Sequence, residues 1–175
     1  GPRREIGIRT VFNILGPLTN PAGASAQLIG VADPGLGETM ADVLGRLGST
    51  HALVVHGVDG LDEISLDGPT QVWELKGGTV SAYTVTPEEL GLPRGDRAEL
   101  QVGDAEESAA VLRGVLAGET GPARDIVLAN AAGALLAADR VATLREGVAL
   151  AAESIDSGAA RERLKALVDL SQRLE

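Results

Sequence analysis

Residues 26–63 read AQLIGVADPGLGETMADVLGRLGSTHALVVHGVDGLDE, and this stretch decides the fold. Ala26–Val31 is an apolar run stopped by Asp33-Pro34-Gly35, which reads as a buried strand ending in a turn. Leu36, Met40, Val43, Leu44 and Leu47 then recur at helical spacing. Gly48 stands where a helix ends. His51–Val55 is a second buried strand, followed at once by a loop rich in glycine and acid. Strand, helix, strand is the grammar of an α/β layer.

Downstream, Val72–Leu75 and Val80–Val85 flank Lys76-Gly77-Gly78, which predicts a small β-hairpin. Thr86-Pro87-Glu88-Glu89 predicts a helix start, with Thr at the N-cap, Pro in the first turn and Glu at the third helical position. Asp104 and Glu107 take the same roles for a helix running to about Leu116. Three more helices are expected over 124–138, 142–157 and 159–174, the last two separated by Gly158. The first of these is alanine-rich and nearly uncharged, so it belongs inside. Upstream, residues 10–22 mix apolar positions with Gly16-Pro17 and Asn20-Pro21, which predicts a short helical or irregular piece and then a loop. The expected fold is α/β: a mostly parallel sheet with flanking helices and a small β-hairpin, in one domain spanning 1–175.

The 175 residues suffice for an ordinary core, since a domain of this size buries roughly 70% of its unfolded surface. With 2% aromatics, that core must be built from Ala, Val, Leu and Ile, and base-stacking modules are disfavoured. No cysteine is present, which excludes disulfides, thiolate nucleophiles and Cys-based zinc sites, and fits a reducing cytoplasm. No apolar run approaches the roughly 20 residues that span a bilayer, so no membrane partner is expected. A formal net charge of −10 disfavours non-specific nucleic-acid binding, which needs clustered Lys and Arg. A small anionic substrate needs only local positive charge and stays open.

Three segments are candidates for chemistry. Val55–Glu63 follows a buried strand, at the edge where open α/β sheets bind ligands. Asp62 and Glu63 place two hard oxygen donors side by side, which suits Mg²⁺. They also suit a solvated polar turn, and local chemistry leaves both readings open. Arg3-Arg4 offers guanidinium forks for a carboxylate or phosphate, or is simply solvated. In Asn13–Asn20, Gly16 gives close backbone access and Pro17 stiffens the loop; a plain connecting turn is the other reading. His51 and His56 form no metal motif: one begins a strand and the other ends it, bonding loop backbone.

Together these segments are more specific than any one alone. RREIGIRTVFNILGPLTNPAGA, followed about thirty residues later by VHGVDGLDEIS, resembles the anthranilate phosphoribosyltransferase family. TPEELGL, GDAEESAAVLRGVLAG and ANAAGALL are similar to that family in order and spacing. The resemblance covers essentially the whole chain. It implies a domain of the nucleoside phosphorylase/phosphoribosyltransferase type, incomplete at its N-terminal side. It implies transfer of phosphoribose from 5-phosphoribosyl 1-pyrophosphate (PRPP) to the amine of anthranilate in tryptophan biosynthesis. By matching positions, Arg3 contacts anthranilate, Gly16 lies beside the substrate, and Asp62 with Glu63 holds Mg²⁺. It further implies a homodimer made through a separate helical domain. The family's GTGGD phosphate loop and Lys-His-Gly-Asn segment are not in these 175 residues. On that ground the parent is expected to be the enzyme and this length of chain inactive by itself.

Two other readings compete with this one. A pyrimidine nucleoside phosphorylase relative shares the helical tail, but RREIGIRT and DGLDE speak against it. A non-catalytic nucleic-acid-binding homologue is opposed by the −10 charge and the acidic pair.

Overall fold

The computed structural model describes residues 16–173. Four strands form one sheet in the order β1-β2-β3-β4: β1 (Ala26–Gly30), β2 (His51–Gly57), β3 (Thr70–Lys76) and β4 (Thr79–Val85). β1 and β2 are parallel, with Leu28 opposite Leu53. The sheet is mixed rather than mostly parallel among the described residues. The loop after β2 turns the chain back, so β3 runs antiparallel to β2 and β4 antiparallel to β3.

Every residue of β2 is buried, because both faces of this inner strand are covered. Leu53 and Val55 point into one core with Ile64, Leu128, Ala132 and Ile155. Ala52 and Val54 point into the other, with Ile29, Met40, Leu44 and Leu75. This alternation is the two-residue period of a strand written entirely in apolar residues. On the second face lies α1 (Gly37–Arg46), whose buried stripe is Gly37, Met40, Ala41 and Leu44. Gly37 is required there: a Cβ would stand 2.2 Å from the Trp73 ring.

The hairpin turns on Gly77 and Gly78, with φ of 58° and 82°. Positive φ at both central residues gives the two-residue turn whose twist matches the strands it joins. α2 (Pro87–Leu90) has the expected cap, with the Glu89 carboxylate accepting from the Thr86 backbone N–H at 2.7 Å. It lasts four residues, because Gly91 turns left-handed at φ 80° and stops it.

The other sheet face carries α3 (Ala105–Leu116), α4 (Pro122–Ala137) and α5 (Leu144–Asp156); α6 (Ala159–Arg173) follows α5. Asp104 caps α3 by accepting from the Glu107 N–H at 2.8 Å, as expected. α4 buries Leu128, Ala129, Ala132, Gly133, Leu136 and Ala137. α5 crosses it closely enough that a Cβ on Gly147 would lie 2.8 Å from the Ala132 Cα. None of the described helices is long and apolar enough to cross a membrane.

Candidate active site

The parallel strands β1 and β2 end side by side at Gly30 and Gly57, and the acidic loop is built on those ends. The loop first turns tightly. The Gly60 N–H donates to the Gly57 carbonyl and the Gly57 N–H donates to the Leu61 carbonyl, both at 2.8 Å. The Asp59 carboxylate accepts from the Ser65 hydroxyl at 3.1 Å, and the Arg97 guanidinium donates to the Asp59 carbonyl at 2.8 Å. The buried Thr70 hydroxyl accepts from the Ser65 N–H at 2.9 Å. Asp59 is therefore engaged in shaping the loop.

Asp62 and Glu63 stand differently. Both are exposed, and among the described residues neither carboxylate has a hydrogen-bond or ion-pair partner. Desolvation by the protein around it, and then the charge of Asp62 beside it, holds the Glu63 carboxyl above its ordinary range. Two adjacent, uncompensated carboxylates fit a hard divalent cation that completes its shell with waters or phosphate oxygens. Among the described residues, no group of three or more His, Asp or Glu side chains could hold a metal alone. A pair finished by a ligand's oxygens is the arrangement that remains.

The backbone under this pair is tightly seated. A Cβ on Gly30 would fall 1.6 Å from the Asp62 carbonyl oxygen, so only glycine lets the loop rest on the end of β1. On the other side Ile64 is buried, and Asn130 of α4 holds both of its backbone groups. The Asn130 side-chain oxygen accepts from the Ile64 N–H at 2.8 Å, and its amide nitrogen donates to the Ile64 carbonyl at 3.1 Å.

Gly16 lies at the start of a 3₁₀ turn, Pro17–Thr19. With Pro17, Thr19 and Asn20 it lines a cavity of about 490 Å³ whose far wall is Gln27–Gly30. Gly30 thus borders this cavity and also seats the Asp62 carbonyl. Arg3 lies outside the described residues. Glu63 also borders a second cavity of about 600 Å³, between Arg97–Val102 and the facing sides of α3 and α4. A third, about 650 Å³ and mostly apolar, lies among α3, α4, α5 and the start of α6, away from the acidic pair.

The histidines form no metal site. His56 Nδ1 lies 2.8 Å from the Val31 carbonyl, tying β2 to the segment after β1. His51 is buried, with Nε2 2.8 Å from Glu74 and Nδ1 3.0 Å from Asp139.

Residues 1–161 match the glycosyl transferase family, a/b domain. The chain belongs to that family. Within this glycosyl transferase family, it is similar to enzymes of one name. It is 61% identical over 168 residues to the anthranilate phosphoribosyltransferase of Moorella thermoacetica, covering 96% of this chain and 50% of the relative. It is 60% identical over 172 residues to that of Symbiobacterium thermophilum, covering 98% and 50%. The chain spans about half the length of the curated relatives it matches. The crystal structure of the Thermus thermophilus anthranilate phosphoribosyltransferase superposes with a TM-score of 0.86 at 48% identity, over 95% of this chain and 49% of that one. The Saccharomyces cerevisiae enzyme in complex with PRPP and Mg gives 0.84 at 30% identity, over 95% and 48%.

Reading the sequence missed Gly30 and Asn130. Each had a local signal: a glycine ending an apolar strand marks close backbone approach, and a single amide in an alanine-rich helix needs a partner.

Proposed function

We propose that this chain forms part of an anthranilate phosphoribosyltransferase, which transfers phosphoribose from PRPP to the amine of anthranilate and releases pyrophosphate. The observation that carries the proposal is the Asp62–Glu63 pair, exposed and unpaired among the described residues, on a glycine-seated loop at the ends of two parallel strands. Its likeness to enzymes of that name supports the choice of substrates. The yeast complex with PRPP and Mg supports the choice of ion. The implied homodimer, the cytoplasmic location and the place in tryptophan biosynthesis go with this reading.

Each residue has a role in that chemistry. The anthranilate nitrogen bonds to the ribose C1 as the bond from C1 to the pyrophosphate oxygen breaks, and the amine loses a proton. No covalent nucleophile is needed. Mg²⁺, when bound, supplies charge neutralisation of the leaving group. Asp62 and Glu63 are the residues that would hold it. Arg3 fixes the anthranilate carboxylate in a guanidinium fork, contributing through orientation. Gly16 lets backbone approach the substrate where a side chain would intrude.

The test is the double variant Asp62→Asn, Glu63→Gln in the complete protein, assayed across a Mg²⁺ titration. Turnover falls by orders of magnitude and its Mg²⁺ dependence changes. Wild-type turnover with an unaltered Mg²⁺ dependence contradicts the assignment.

A further inference from the structure

Helix α4 is built from Ala, Leu, Ile and Val over most of its length, and Asn130 interrupts that pattern at its middle. Its amide makes three hydrogen bonds. One, at 3.0 Å, goes to the Ile126 carbonyl in its own helix. The other two go to the N–H and the carbonyl of Ile64, a residue 66 positions away. Using donor and acceptor together on one residue imitates the pairing a neighbouring strand would provide. It fixes the position and the rotation of the Ile64 backbone.

Ile64 follows Glu63 directly, and its side chain is locked in the core at 1% exposure. Within the pair, the Asp62 carbonyl, in the peptide that joins Asp62 to Glu63, rests where a Cβ of Gly30 would be. Glu63 lies between these two anchors, and Asp62 itself carries one of them. With both ends held, the chain has little freedom to redirect either side chain. The carboxylates make no bonds of their own among the described residues, so their direction comes from the backbone beneath them.

We propose that Asn130 is a positioning residue for the Asp62–Glu63 pair: from α4 it sets the backbone from which both carboxylates reach a divalent cation. This rests on the reading of that pair as a metal-holding site. Groups that orient metal-holding carboxylates typically change metal affinity by roughly 10–100-fold when removed. Asn130 acts one step further back, on backbone, and belongs at the lower end of that range.

The test uses the complete protein with Mn²⁺ as the probe ion and pyrophosphate as the phosphate ligand, free Mn²⁺ being followed by its paramagnetic resonance signal. Asn130→Ala is compared with Asn130→Ser, whose hydroxyl can still bond the Ile126 carbonyl within α4. Circular dichroism identifies which variants are folded. In a folded variant, Mn²⁺ affinity falls roughly tenfold, the Mg²⁺ concentration for half-maximal turnover rises to match, and the KM for anthranilate stays within about twofold. A purely structural role would instead lower thermal stability and leave Mn²⁺ affinity alone, and that outcome overturns the proposal. The variant Asp62→Asn, Glu63→Gln separates the two layers. If it abolishes Mn²⁺ binding while the Asn130 variants bind normally, the positioning role fails and the metal site stands. If it binds Mn²⁺ as the wild type does, the metal site fails and the positioning role with it.

Discussion

Replacing Gly30 by alanine perturbs the candidate site through a single methyl group. The added Cβ would lie 1.6 Å from the Asp62 carbonyl oxygen and 2.5 Å from its carbonyl carbon. Both are backbone atoms, so no rotamer change relieves the clash. A close carbon–oxygen contact sits at about 3.3 Å, so the Asp62 carbonyl must retreat by roughly 1.7 Å. The Asn130–Ile64 bonds at 2.8 and 3.1 Å do not survive a displacement of that size two residues away. Overpacking costs about 1–3 kcal/mol. Leaving a buried backbone group of Ile64 unsatisfied costs about as much again, roughly 1–3 kcal/mol. A reacting group misplaced by about 1 Å loses on the order of 100-fold in rate. The assay is urea denaturation of the complete protein beside steady-state turnover. Gly30→Ala is expected to lose about 2–6 kcal/mol of stability and roughly 100-fold in kcat/KM. Wild-type stability together with wild-type turnover would refute the claim that the loop is seated on β1.

Two further predictions concern the scaffold. Gly147→Ala places a methyl 2.8 Å from the Ala132 Cα and Cβ, forcing α4 and α5 apart; it should cost about 1–3 kcal/mol, and a thermal melt matching the wild type would contradict the close crossing. Asp139 has a carboxyl held below its ordinary value of 3.8, first by a hydrogen bond from Lys76 and then by one from His51. A lowered folded-state value means the carboxylate stabilises the fold above pH 3.8, and that contribution fades as pH falls below it. Acid denaturation should therefore be less steep below that pH in Asp139→Asn than in the wild type, and identical slopes would contradict the ion pairing.

Much of the architecture could be read because the sequence offers few alternatives. HALVV is apolar at four consecutive positions and short, so it reads as a strand covered on both sides. Lys76-Gly77-Gly78 between two β-rich runs leaves a hairpin as the natural outcome. The side of β2 on which that hairpin docks was not legible, because periodicity within a strand says nothing about its neighbour. The short α2 shows the same limit: Thr86 and Glu89 mark a start well, while Gly91 decides the length.

The site was legible as composition and not as geometry. Asp62 and Glu63 were visible as a pair, yet an acidic pair in a loop is also an ordinary solvated turn. What distinguishes them in the structure is the seat: Gly30 on one side and Asn130 on the other. Those contacts join residues 32 and 66 positions apart, Gly30 with Asp62 and Asn130 with Ile64, and no local rule reaches that far. Gly16 was singled out as a point of close backbone access. Its cavity runs along Gln27–Gly30, and Gly30 is also the residue that seats the acidic loop.

The most direct test of the central claim is the fluorescence of anthranilate followed in the presence of the complete protein. The signal is expected to fall only when PRPP and Mg²⁺ are both supplied, with pyrophosphate released in equal amount. An unchanged anthranilate signal, together with phosphate-dependent cleavage of thymidine or uridine by the same protein, would contradict it.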